Sequence, residues 1–412
     1  MPTAFIVRMK YFYFFYIGLV IFEGVLRKWI RLAPFDLFYF FRDVISFLCL
    51  VWIFFSKANK SRIPQLFYLV VFLITSIAFV QVLIGQIELS VAIFGLKNMF
   101  APFVIAYIAI STNTRNILRD SLIRLCILSI YVEAPLALFQ ALSPRDSFIN
   151  FTTWGQASSM VTSGDQVRPI GTFTSTLGFS YYLILCIAVL FLTNFSHQYR
   201  STKMQRNYPF AVVTAAAISG SRTVLFAAIF IALFSVMTSR NSFYSKIKFR
   251  FSAVSIAILI FAYFADSILS VIDAFLFRLR YQTEGGGGTL NRIAEAIFGY
   301  TTDFQFIGEG IGKYHQSGIA LGSANFWVEN EVPRWIMELG LLGFVLVVVR
   351  QIWALRLLTL ALNSNSGSFH ENRALIFALF PLLLFSGITT QPSVQGIASC
   401  LIPFAFRMRN LE

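Results

Sequence analysis

Apolar runs of roughly twenty residues recur along almost the whole chain, and no other feature constrains the fold as tightly. They fall near Tyr11–Leu26, Leu37–Phe55, Leu66–Gly85, Val91–Ile110, Leu122–Leu142 and Ser175–Asn194. Six more fall near Tyr208–Ser219, Thr223–Thr238, Phe251–Val271, Trp335–Trp353, Ala374–Gly387 and Val394–Phe406. A helix rises about 1.5 Å per residue and the hydrocarbon core is about 30 Å thick, so such runs match single membrane crossings. Only 13% of the 412 residues are charged and 57% are hydrophobic, against about 25% charged in a soluble domain. A single soluble globule is excluded. The expected fold is all-α, a polytopic transmembrane helix bundle of about twelve spans in one domain (residues 1–412). An outer loop covers 143–174 and a larger one, 272–334, precedes span 10. The first run lacks a small-x-small site and is followed by Arg27-Lys28, so it reads as a span and not as a cleaved signal.

The net charge of +14 would suggest nucleic acid on a soluble protein. In a membrane protein cations gather on the cytoplasmic side. With both termini cytoplasmic, the inner segments hold 20 of the 33 cations and only three acids, Asp120, Glu371 and Glu412. The outer side holds 13 cations and 15 acids. The positive balance is therefore a sidedness signal, and no nucleic-acid partner is expected. The same rule chooses between one helix and two around Arg222, between Arg206 and Arg240. A single helix would approach 50 Å and would carry the four cations from Arg240 to Arg250 outward, whereas two short spans meeting at Ser219-Gly220-Ser221-Arg222 keep them inside.

Cys49, Cys126, Cys186 and Cys400 fall in separate runs, with neither a disulfide framework nor metal-ligand spacing, so no metal or cofactor is expected. Gly308-Glu309-Gly310-Ile311-Gly312-Lys313-Tyr314 resembles a phosphate loop, but it is one residue short and ends on Tyr. Several outer-side cations lie in or beside apolar sequence: Arg222, Lys97 and Arg42. Near mid-membrane such a charge costs about 2.5–3.5 kcal/mol on the mild insertion scale. Arg222 either reaches the headgroups or an outer acid, or meets an anion. Arg42, next to Asp43 and after Asp36, also fits a helix-end ion network. Glu133 reads either as a proton relay or as a hydrogen-bonded buried acid. His315 reads either as an acid/base group or as a structural histidine.

The stretch from Glu329 to Gly343, Glu-Asn-Glu-Val-Pro-Arg-Trp-Ile-Met-Glu-Leu-Gly-Leu-Leu-Gly, resembles the hallmark of the bacterial O-antigen ligase/O-antigen polymerase family. There a His-Asn pair is followed, nine residues after the His, by Glu-x-Gly-x-x-Gly opening a helix. Three further segments agree in order: Arg168-Pro-Ile-Gly-Thr-Phe before a span, Ser219-Gly-Ser-Arg-Thr between two short helices, and Arg292 followed by Ile307-Gly-Glu-Gly-Ile-Gly. Glu23-Gly-Val-Leu-Arg-Lys-Trp29 matches a subset of the family. Glu329 stands where the family has its His.

The resemblance implies a multi-pass glycosyltransferase of the bacterial inner membrane, needing neither nucleotide nor metal. It would move a glycan from an undecaprenyl-pyrophosphate carrier to the hydroxyl of an acceptor glycan or glycolipid, as a polymerase or a ligase of surface polysaccharide. On that expectation Arg222, Arg168 and Arg292 bind pyrophosphate, since guanidinium forks suit phosphate. Glu329 serves as base, with Glu331 or His315 in reserve, and Asn330 and Trp327 contact sugar. Gly340 and Gly343 permit close packing, and Glu338 caps or orients its helix. A transporter or flippase for lipid-linked oligosaccharide is the rival class, and a structural partner in a biosynthetic complex is the third.

Overall fold

A computed structural model of the chain describes residues 3–30, 36–55, 65–151, 162–163, 166–195, 203–237, 299, 305–363 and 371–406. The expected span Phe251–Val271 and Arg292 lie outside the described residues. Apart from a two-residue antiparallel ladder, the regular structure described is helical.

The first eight helices follow the apolar runs: α1 (Thr3–Val25), α2 (Asp36–Phe55), α3 (Gln65–Leu83), α4 (Leu89–Ser111), α5 (Arg115–Leu142), α6 (Thr176–Phe195), α7 (Lys203–Ile218) and α8 (Arg222–Met237). Strands β1 (Thr162–Ser163) and β2 (Gln166–Val167) lead into the loop before α6. The chain breaks at Ser219–Ser221, as expected, with Gly220 at φ 55°. A five-residue helix, α9 (Gln316–Ala320), lies in the outer loop. Among the described residues, five segments are long and apolar enough to cross a membrane: Thr3–Trp29, Leu89–Ser111, Arg115–Leu142, Thr176–Thr193 and Leu341–Asn363.

Beyond the loop, the expected span Trp335–Trp353 is corrected. It is two helices, α10 (Glu331–Leu339) and α11 (Leu341–Asn363). Gly340 separates them at φ 60°, ψ −132°, a conformation only glycine adopts without strain. A Cβ at Gly343 would lie 1.9 Å from the Trp335 carbonyl oxygen, so the two helices fold tightly on each other. The apolar stretch was read as continuous because α10 is amphipathic and buries one face, which a mean-hydropathy reading does not see. The last two expected runs are two helices parted where the sequence parts them. α12 (Arg373–Pro381) continues as a π-turn to Ser386, Gly387–Gln391 is non-helical, and α13 (Pro392–Leu401) ends in a 3-10 turn.

The main apolar core gathers residues of α1, α4–α8, the far half of α11, α12 and α13, with α6 enclosed on most sides. A second core joins α3 and the start of α4 to Ile311, α10 and the start of α11.

Candidate functional site

Because successive long helices run in alternating directions, the C-terminal ends of α1 and α5 meet the N-terminal ends of α2, α4 and α6. Polar side chains collect there. Arg42 is 1% exposed and donates to the Pro392 carbonyl (2.6 Å), Asp43 (3.3 Å) and Glu23 (3.5 Å). Lys97 pairs with Asp43 at 2.7 Å. These two recessed cations belong to the ion network that the acids around Arg42 suggested, with Glu23 of α1 as a further member.

Glu331 lies at the start of α10 and faces inward. It pairs with Arg350 and with Arg334 (3.7 Å). It also accepts the backbone N–H of Ile388 (3.1 Å) and Thr389 (2.7 Å), together with the Thr389 hydroxyl. The non-helical stretch Gly387–Gln391 is thus held by one carboxylate. Non-helical backbone deep in such a bundle survives only where protein satisfies it. Breaking a buried ion pair by removing one partner costs about 3–5 kcal/mol.

His315, open in the sequence between a substrate-side acid/base group and a structural histidine, is 5% exposed. Its Nε2 faces the carbonyl oxygens of Thr389 (3.2 Å) and Thr390 (3.0 Å), which only accept, so Nε2 carries the proton. Nδ1 then accepts from Asn98 (3.2 Å). Burial first, and the Arg334 charge second, push its pKa down to about 3. His315 is therefore a neutral brace on the same non-helical stretch. The crevice among Asn98, His315, Arg334, Trp335, Glu338 and Thr389 has about 10 Å³ of space for a water's centre, room for about one water and not for a sugar.

The other loop candidates face outward. Trp327 is 44% exposed, Glu329 is exposed and Asn330 half-buried. Val328 N–H donates to the Tyr314 carbonyl (3.1 Å), and the Tyr314 and Phe326 rings lie 5.2 Å apart, which ties this strip to the Gly308–Tyr314 loop. Glu338, expected to cap or orient its helix, instead accepts the Tyr314 N–H at 3.1 Å. Gln81 adds bonds to the Ile307 and Glu338 carbonyls and to the Ile311 N–H. Glu329 and Glu331 are two residues apart but reach opposite environments, water and core.

Arg168 and Arg222, 54 positions apart, lie near enough for the Arg222 charge to bear on Arg168. Burial and then the neighbouring Arg222 charge push the Arg168 guanidinium below its ordinary value. It remains a cation all the same. Its Nε is buried and has no hydrogen-bond partner among the described residues. Arg222 opens α8 directly after the Gly220 turn, where the helix dipole favours an anion. Ser180 of α6 donates to Ser221 (2.9 Å), and Ser175 hydrogen-bonds to Gln391. The N-terminal turns of α6 thus sit between the α7–α8 turn and the break before α13.

The amides were missed. Gln81, Asn98, Gln140 and Gln395 each organise several bonds. Their sequence signal was a lone amide within an apolar run, which a reading of charges alone passes over. Among the described residues no group of His, Cys, Asp and Glu could hold a metal ion.

Fold and site together define an all-helical protein with apolar helices long enough to cross a membrane and a buried layer rich in arginine. Compared with known proteins, the chain matches no family model and no curated protein.

Proposed function

We propose that this protein is a bacterial inner-membrane glycosyltransferase with about twelve spans and both termini cytoplasmic, transferring glycan from an undecaprenyl-pyrophosphate carrier to an acceptor hydroxyl at the outer face. Polymerisation of surface-polysaccharide repeats is favoured over ligation, because Glu329 stands at the position of the ligase-type His. The observation that carries the reading is the buried Arg168 Nε without a hydrogen-bond partner among the described residues, with α6 bonded through Ser180 to Ser221 next to Arg222, at the end of the bundle assigned to the outer side.

Depth supports it. α7 and α8 have 16 residues each, about 24 Å at 1.5 Å per residue, less than the roughly 30 Å core. Their turn, anchored to the inner interface, lies recessed from the outer one, at the level of a lipid-borne pyrophosphate. In the reaction Glu329 accepts the acceptor's hydroxyl proton. The new C–O bond forms at the anomeric carbon as the bond to the pyrophosphate oxygen breaks. The arginines neutralise the charge that develops on that oxygen. Undecaprenyl pyrophosphate leaves, and Trp327 and Asn330 contact the sugars.

Purified protein given undecaprenyl-pyrophosphate-linked repeat units should lengthen the glycan on a gel. Wild-type product from Arg222→Ala would overturn the mechanism. The non-helical stretch Gly387–Gln391 between α12 and α13, held by buried polar groups, favours a second reading, because transporters bind cargo at non-helical backbone enclosed in the bundle. Labelled carrier that crosses a vesicle bilayer with no new glycosidic bond would establish transport instead.

A further inference from the structure

The Glu23–Trp29 segment takes no part in the chemistry just described, yet it packs on the loop that carries Arg168. Lys28 is fully buried, and its Nζ donates to the Gly171 carbonyl at 2.6 Å. Gln140 of α5 grips the same peptide from both sides. Its Oε1 accepts the N–H of Ile170 (3.0 Å) and Gly171 (2.8 Å), and its Nε2 donates to the Gly171 carbonyl (3.1 Å). Glu133 accepts the N–H of Thr172 at 3.0 Å and bonds its hydroxyl.

The fit leaves no slack. Gly171 adopts φ 58°, and a Cβ there would lie 2.1 Å from Glu133 Oε2. A Cβ on Gly24 of α1 would lie 1.9 Å from the Thr172 carbonyl oxygen. Three buried polar side chains from the first and fifth helices therefore fix four consecutive backbone groups, two to four residues after Arg168. Ordinary loops are not held this way, and apolar packing alone would leave these groups unsatisfied at about 1–3 kcal/mol each. The clamp sits directly beside Arg168, whose Nε is buried and has no hydrogen-bond partner among the described residues.

We propose that Lys28, Glu133 and Gln140 are positioning residues that hold the Arg168 loop so that its guanidinium meets, beside Arg222, a pyrophosphate-class anion. This rests on the anion reading of the arginine pair. It assigns the Glu23–Trp29 segment and Gln140 a task in setting affinity, with no contact to the anion themselves. Preorganising a donor in this way lowers the cost of ordering it on binding.

The test is calorimetric titration of the full-length protein in nanodiscs with inorganic pyrophosphate, with thermal unfolding measured alongside. Gln140→Glu keeps shape and acceptor but replaces the donor facing the Gly171 carbonyl, and Lys28→Met removes the other donor. Each should weaken pyrophosphate at least about tenfold. Combined with Arg168→Ala, neither should weaken it beyond Arg168→Ala alone, a non-additivity expected of groups acting through one another. If Lys28→Met does not accumulate, Thr172→Val, which removes the hydroxyl bonded to Glu133, carries the test with Gln140→Glu.

Wild-type affinity in folded clamp variants, while Arg222→Ala loses pyrophosphate, would overturn the clamp and leave the anion reading standing. Equal weakening with and without Arg168 would also overturn it, since the effect would then be structural. No binding by the wild type, or full binding by Arg222→Ala, would overturn the anion reading and the clamp with it.

Discussion

Two pairs of arginines lie in the same polar layer and meet opposite fates. Arg334 and Arg350 converge on Glu331, and Arg350 also stacks over the Trp335 ring at 5.0 Å. Their charge is balanced inside the fold and is spent on holding Gly387–Gln391. The Arg222 charge bears on Arg168, and the loop bearing Arg168 is fixed by groups that bond its backbone, while the Arg168 Nε has no hydrogen-bond partner among the described residues. Arginines opposite a buried acid are part of the scaffold, and the Arg168 and Arg222 pair is the one proposed above to receive an anion from outside.

The comparison breaks first at Glu331. Glu331→Gln should lower stability by about 3–5 kcal/mol, read as a fall in Tm in detergent, because two guanidiniums lose their shared acid. Arg222→Ala should do the reverse. Glycan elongation should fall by about 10²–10³, the size of losing a group that stabilises an oxyanion, with a much smaller change in Tm, because Arg168 loses a like-charged neighbour. A Tm drop as large as that of Glu331→Gln would erase the distinction. Glu329→Gln, at an exposed position, should cost about a hundredfold in elongation rate at unchanged Tm and unchanged pyrophosphate affinity.

The smallest effect is a pH slope. Folded His315 stays neutral down to about 3, whereas in the unfolded chain it protonates near 6.5. The contribution of His315 is therefore complete above about pH 6.5 and is lost as pH falls, since only the unfolded state takes up the proton. Tm of the wild type should decline from pH 6.5 to 5, and His315→Asn should flatten that decline.

Much of the helical frame was legible. Spans end where charge or glycine interrupts an apolar run, so α2, α3 and α4 fall within two residues of their expected limits. The turn at Ser219–Ser221 followed from length, because one helix from Arg206 to Arg240 is too long for a bilayer. The fold at Gly340 was not legible. A positive φ leaves no trace in hydropathy, and Trp335–Leu339 is apolar enough to extend the neighbouring run.

The site was legible in part. Arg222 stood out as a cation beside apolar sequence and Arg168 through the family resemblance, and the Arg222 charge bears on Arg168. His315, open between an acid/base and a structural reading, is a brace, and the pattern carries no sign of the Thr389 and Thr390 carbonyls, more than seventy positions away. Lys28 was noted only as a cation that ends a span. Its partner at Gly171 is 143 residues on.

By itself the sequence determined that the chain is helical and apolar enough to cross a membrane, because crossing length and hydropathy are one-dimensional quantities. It did not determine which helices face lipid. The apolar windows of α6 and α11 have similar mean hydropathies, 2.0 and 1.9, yet 78% of the first is buried in the protein and 28% of the second. Lipid tails and protein cores are equally apolar, so that choice leaves no mark on composition. Tertiary structure also decided which charged groups meet. An ion pair depends on groups meeting in space, and nothing along the chain marks Glu331 for Arg350, 19 positions on.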